Sequence, residues 1–214
     1  CGIVYCLECP FSCRCYQESG INSIFCVNKE RRYIPNYFDF DVKLVNVSGN
    51  SIPELTSESF QNQHYRSLEI LDLRHNGIHR IDNKAFSILK NLLEIDLSGN
   101  QLHNVNRKMF SDNRFLNTII LSGNPITVLK PYTFPFSIYL RHLDFQGCQI
   151  RKVDDRTFVN SPMVEYINLK DNNLRSLSLN VLHNSSQLTR LLLEGNPWRC
   201  TKQLWMLLKW IRDH

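Results

Sequence analysis

A chain of 214 residues with 43% hydrophobic side chains is long enough to bury one sizeable core, and its 25 basic and 20 acidic residues leave a net charge of +5. That charge is modest and unclustered along the sequence, which argues against nucleic acid as a partner. No apolar run approaches the roughly 20 residues needed to span a bilayer, so no membrane contact is expected within this chain.

The eight cysteines come first in chain order, because six of them precede residue 27. Cys9, Cys13 and Cys15 lie in the run CPFSCRC, and Cys26 follows shortly after it. The C-x3-C-x-C spacing offers zinc-like ligands but suits a tetrahedral site poorly, so bridges in an oxidising compartment are the better reading. Neither metal nor cofactor is implied. Cys1 and Cys6 read either as a third bridge or as the remains of a trimmed leader that includes GIVYCLEC (2–9).

From residue 42 the chain becomes periodic. Asn76, Asn100, Asn124, Cys148, Asn172 and Asn196 stand 24 apart, each preceded by apolar residues eight, five and three positions earlier. Around Asn100 these are Leu92, Ile95 and Leu97, followed by Leu102, Val105 and Phe110; around Asn124 they are Leu116, Ile119 and Leu121, followed by Ile126, Leu129 and Phe134. The pattern L-x-x-L-x-L-x-x-N-x-L is that of a leucine-rich repeat. A strand turns alternate residues to opposite faces, so the leucines go inside, while the buried Asn must pair with backbone groups where the chain leaves the strand. At 148 a small, apolar Cys takes that place as a buried thiol.

An earlier repeat runs from Val42 through Asn50 to Phe60, with 26 residues to the next and two residues inserted after Phe60. The polar stretch 61–67 predicts a widened loop on the convex side. The sixth full repeat contains Val164, Ile167, Leu169, Asn172 and Leu182, and a seventh begins at Leu188. Then NPWRC, 196–200, leads into Leu204, Leu207, Leu208 and Ile211 at helical spacing, flanked by Trp205 and Trp210.

The predicted fold is an α/β solenoid, a horseshoe with one parallel sheet on its concave face and disulfide-stapled terminal caps. Its expected parts are a cysteine-rich cap over 1–41, six repeats over 42–187, and a last repeat with a truncated second cap over 188–214. Two N-x-S/T sequons mark Asn46 and Asn184 as glycosylation candidates.

The first cysteine cluster resembles the amino-terminal cap of extracellular leucine-rich repeat proteins. That resemblance implies pairing of Cys9 with Cys15 and of Cys13 with Cys26. NPWRC resembles the start of the carboxy-terminal cap, from which the chain departs at Lys202, where a second cysteine would stand. LSGNPI (121–126), LDFQGCQI (143–150) and NLKDNNL (168–174) resemble the insect Kekkon group of transmembrane leucine-rich repeat and immunoglobulin proteins. Membership would imply an anchored receptor that binds other receptors at the cell surface.

The repeat frame also predicts an outward surface. The third position of each repeat supplies His142, Tyr166 and Arg190 late in the chain, and the fifth supplies Ile120, Asp144, Asn168 and Leu192. Tyr and Arg are enriched at binding hot spots, which makes these concave residues the candidate ligand site. Asp72, Asp96 and Asp144 are consensus choices at the fifth position; carboxylates on an open sheet make a poor enzyme. The expected function is an extracellular recognition domain of a cell-surface receptor or adhesion protein. It would bind a protein, which includes a second copy of itself, and the alternative is a secreted innate immune or matrix protein.

Overall fold

In the computed structural model, residues 9–213 are described, so Cys1 and Cys6 lie outside the described residues. Nine strands form one sheet. In order along it they are Arg14–Glu18, Ile21–Phe25, Leu44–Asn46, Ile70–Asp72, Glu94–Asp96, Thr118–Ile120, His142–Asp144, Tyr166–Asn168 and Arg190–Leu192. The first two make an antiparallel hairpin, and every later pairing is parallel and in repeat register, as with His142 opposite Tyr166. The middle residue of each repeat strand from Val45 to Ile167 points into the core, and the residues on either side are partly or fully exposed, Asn168 excepted.

The cap hairpin continues the sheet, so the first repeat has no bare edge. Disulfides join Cys9 to Cys15 and Cys13 to Cys26, with Cα atoms 5.9 and 4.3 Å apart, the pairing that the family resemblance implies. Cys26 is buried beneath Asn50, whose Nδ2 donates to the Cys26 carbonyl at 2.7 Å.

Asn50 opens a ladder that runs the length of the solenoid. The Nδ2 of Asn100 donates to the carbonyls of Leu97 in its own repeat and Leu73 in the one before, at 2.8 and 3.0 Å. Its Oδ1 accepts from the amides of Asn76 and Ile78. Asn124, Asn172 and Asn196 repeat both donations and accept from one amide each, those of Leu102, Ile150 and Leu174. Cys148 keeps part of it, since its thiol donates to the Leu121 carbonyl at 3.1 Å, but it offers no oxygen to the Ile126 amide, which bonds to Asn124 O instead.

In front of each ladder residue the chain needs a positive φ. Gly49, Gly99, Gly123, Gly147 and Gly195 supply it, and His75 and Asp171 adopt it with side chains. Where a side chain is present, the next repeat cannot have one: a Cβ on Gly99 would collide with the His75 ring, and one on Gly195 with the Asp171 carboxylate.

A second stack lines the convex side of the core. Phe60, Phe86, Phe110, Phe134 and Phe158 are buried one per repeat, with ring centroids 5.9 Å apart for Phe86 and Phe110 and 6.2 Å for Phe134 and Phe158. The insertion after Phe60 is not only a wider loop. It folds into a 3-10 helix, Gln63–Ser67, capped by the Asn62 side chain. Tyr65 from that turn is fully buried, packs edge-on against Phe60, and donates its hydroxyl to the Pro35 carbonyl. An inserted turn that brings its own aromatic side chain fills the space it opens.

At the far end the helix Lys202–Asp213 covers the last repeat through Leu207, which is fully buried, with Leu204 and Trp210 partly so. The expected apolar face is narrower than its spacing suggests, because Leu208 remains 55% exposed and Trp205 64%.

Asn100→Ala leaves the buried amides of Asn76 and Ile78 without partners, while the Leu73 and Leu97 carbonyls keep Asn76 and Asn124 as donors, and should destabilise the chain by about 3 kcal/mol in chemical denaturation. Cys148→Ala, which removes one weak thiol bond, should cost about 1 kcal/mol. Equal losses for the two would show that the ladder oxygen carries no special role.

Candidate functional site

Parallel strands about 4.8 Å apart bring same-numbered repeat positions into side-by-side contact. On the last three strands the third position therefore builds a column. The His142 and Tyr166 rings lie parallel, 11° apart in plane with centroids 4.0 Å apart, and the Arg190 guanidinium stands over the other side of Tyr166 at 5.6 Å. The sequence places these three residues 24 apart; the structure stacks them into one aromatic and cationic ladder on the concave surface.

Beneath the column a polar belt fixes its neighbours. Asp144 accepts from the Gln146 amide at 2.8 Å and from Asn168 Nδ2 at 3.0 Å, and Gln146 Nε2 donates to Asp171 at 2.8 Å. Asn168 departs from the outward-facing position expected of it. With Nδ2 bonded to Asp144 and Oδ1 accepting from the Lys170 amide, it is only 3% exposed. Buried and bonded in this way, it braces the surface instead of presenting a ligand contact. Ile120 and Leu192 are partly exposed and frame the belt with apolar surface.

Burial holds the His142 imidazole below its ordinary pKa, against the opposing pull of Asp144 and Glu94. Burial thus favours the neutral ring beside a tyrosine that carries a guanidinium on its other face.

The early half of the concave face is closed on itself. Arg74 makes a double contact to Asp72, 2.6 Å at the shorter, and reaches Asp96 at 3.4 Å. Its own pKa is raised first by the hydrogen bond to Asp72, and that of Asp96 is raised first by burial. A guanidinium set between the two carboxylates compensates the charge an acid–base pair would need free. Among the described residues no group of three His, Cys, Asp or Glu side chains is placed to hold a metal.

One feature of this surface escapes the repeat frame. Phe115 and Tyr139, each the residue before the first apolar position of its repeat, meet edge to face at 5.3 Å. With Ile70 and Leu93 they line a groove of about 460 Å³ beside the strands, rimmed by Glu69 and Glu94. Exposed aromatic residues at the same offset in consecutive repeats were the signal available in the sequence.

Other candidate residues lie apart from the column. Asn46 sits on the first repeat strand, its Oδ1 accepting from the Ser48 amide and hydroxyl. Asn184 is exposed on the outer side. The Cys148 thiol is buried and its pKa pushed up to about 12 by that burial, whereas Cys200 is exposed and has no bridge among the described residues.

An open column on a repeat sheet defines a recognition solenoid, a fold whose members are typically non-enzymatic. The chain belongs to the leucine-rich repeat family: the family model described as "Leucine rich repeat" matches residues 66–135 and 138–197. It is 33% identical over 89 residues to leucine-rich repeat-containing protein 3 of Mus musculus, covering 40% of this chain and 34% of that protein. To leucine-rich repeat-containing protein 3B of Homo sapiens it is 31% identical over 86 residues, covering 40% and 32%. The chain thus spans about a third of these relatives. Among solved structures it resembles the TLR13–ssRNA13 complex, with a TM-score of 0.66 and 31% identity over 72% of this chain and 22% of that one. It shares the fold of the Toll–Spatzle complex from Drosophila, with a TM-score of 0.57 and 22% identity over 74% of this chain and 24% of that one.

Lowering pH should protonate His142 only below 6.5, because its folded pKa is depressed. A depressed base contributes stability that is present above its unfolded pKa and lost as pH falls from there through the folded value. An NMR titration should give a His142 midpoint under 6.5 that moves up toward 6.5 in Tyr166→Ala. A midpoint unchanged by that substitution would show that Tyr166 does not bury the ring.

Proposed function

We propose that this chain is an extracellular recognition domain that binds a protein ligand through its late concave strands, as the ectodomain of a cell-surface receptor or adhesion protein. The stacked column of His142, Tyr166 and Arg190 carries the reading. Rigid aromatic and guanidinium groups give large contact area for little lost conformational entropy, which is why they dominate hot spots. Asp144, Ile120 and Leu192 would form the surrounding contacts, with Asn168 as support, and a second copy of the chain is one such ligand. Two disulfides support an oxidising compartment. The Kekkon-like motifs favour the anchored receptor over a secreted immune or matrix protein, which would use the same face. The division into a cap over 1–41, repeats over 42–187 and a closing unit over 188–214 belongs to this proposal.

The Toll–Spatzle neighbour supports a protein ligand, while the TLR13 neighbour is described with single-stranded RNA, so RNA belongs in the test. The secreted chain is measured against a panel of extracellular domains, itself included, and against single-stranded RNA. Tyr166→Ala should weaken protein binding by about 30-fold, the loss of about 2 kcal/mol expected of a hot spot. Binding that survives replacement of His142, Tyr166 and Arg190 together by Ala overturns the site, and binding to RNA alone overturns the ligand class.

A glycan on Asn46 would cover the early part of the sheet and direct ligands to the later strands. Asn46→Gln should leave secretion and folding intact while extending the footprint toward the first repeats in hydrogen exchange. Loss of secretion would instead make the glycan a folding requirement.

A further inference from the structure

The positive charge that looks unclustered along the sequence is gathered in space. Five consecutive repeats carry it in the loops that follow the ladder residue, 78–84, 102–108, 126–132, 150–156 and 174–180. These hold nine Lys and Arg against three Asp, a net of +6, whereas the whole chain holds 25 against 20 and nets +5. The remainder of the chain is therefore slightly acidic. The loops are stacked by the solenoid, and the patch ends at the first repeat, where Glu54 and Glu58 occupy the same stretch.

Within the patch lies a cleft of about 550 Å³ lined by Asn83, Arg107, Lys108, Lys130 and Tyr132 among others. The three cations are exposed, and none has an ion-pair partner among the described residues. Their neighbour Lys84 differs in this respect, being bound to Asp112 at 2.9 Å. The cleft walls are held in place: the Asn106 side chain accepts from the Lys108 amide at 2.9 Å, Thr133 donates to the Lys130 carbonyl at 2.7 Å, and the Tyr132 amide bonds to Arg156 O.

We propose that this cleft and the basic loops around it bind a sulfated linear polysaccharide, independently of the protein ligand on the concave face. Unpaired ammonium and guanidinium groups fixed on a rigid wall suit sulfate oxygens, which accept charge-assisted hydrogen bonds. A series of such groups in successive repeats suits a linear chain of regularly spaced anions. Single-stranded nucleic acid fits less well, because it takes aromatic platforms for its bases. The ring lining this cleft is Tyr132, and the Arg156 guanidinium already lies over it at 5.5 Å.

The test uses heparin as probe, on the whole chain. Arg107→Ala, Lys108→Ala and Lys130→Ala are combined in one variant. A control of equal charge change combines Arg14→Ala, Lys29→Ala and Arg32→Ala in the amino-terminal cap, and circular dichroism checks the fold of both. The cleft variant should bind heparin about tenfold more weakly and elute from it at lower salt, the sum expected of three exposed ionic contacts, while the control changes little. Binding of any concave-face ligand should be unchanged in the cleft variant, which keeps this outcome separate from the one above. Equal losses in the two variants would reduce the effect to net charge and overturn the proposal. Tighter binding to a single-stranded RNA of matched charge, lost in the same variant, would overturn it too.

Discussion

Everything in this molecule depends on satisfying backbone groups where each strand ends. A short strand of three residues leaves carbonyls and amides at its turn that no neighbouring strand reaches, and burying them unpaired costs more than the side chains around them return. The ladder asparagine solves this by donating to carbonyls of its own and the preceding repeat and accepting from amides of that preceding repeat, as Asn100 does, so repeats are joined through polar atoms inside an apolar core, and at Cys148 the donated bond alone remains. The leucines supply the energy of burial and the parallel strand pairing sets the height at which one repeat sits on the next, while the asparagine pairs the backbone groups that this stacking would otherwise bury unsatisfied.

From that constraint the functional surface follows. A fixed stacking height means that equal positions in successive repeats face each other at strand spacing, and planar groups then meet at ring-stacking distance without any loop having to be ordered. His142, Tyr166 and Arg190 are 24 apart in sequence and adjacent in space for this reason. The same geometry explains why His75 demands glycine at 99 and Asp171 demands glycine at 195: a column has room for one side chain in two repeats there.

The period made the architecture and the concave positions legible, since a 24-residue pattern has one structural solution and assigns each position a face. What it concealed arises from contacts between repeats that differ. Asn168 stands at an outward position like Asp144, yet a bond to that same Asp144 buries it, and no single-repeat rule contains the neighbour's side chain. Tyr65 was hidden in a polar stretch because it is the one large ring in an insertion with no counterpart in other repeats. The Phe115 and Tyr139 groove lies just outside the pattern, where the frame places no requirement. The closing helix shows the reverse error, as helical spacing marked Leu208 for the core while the last repeat has width only for Leu207 and its partly buried neighbours.

A solenoid separates its surfaces more completely than a globular domain does. Each repeat contributes one stretch to the sheet and another to the loops beyond the ladder, and the apolar core lies between them. Charge has been distributed accordingly: Arg74 compensates the concave carboxylates Asp72 and Asp96, whereas Arg107, Lys108 and Lys130 in the loops have no counter-ion among the described residues. Salt at physiological strength screens charges beyond about 8 Å, so the basic loops act chiefly on what lies against them. Two faces built from different positions of one repeat can therefore carry different partners, because the residues that define one are absent from the other.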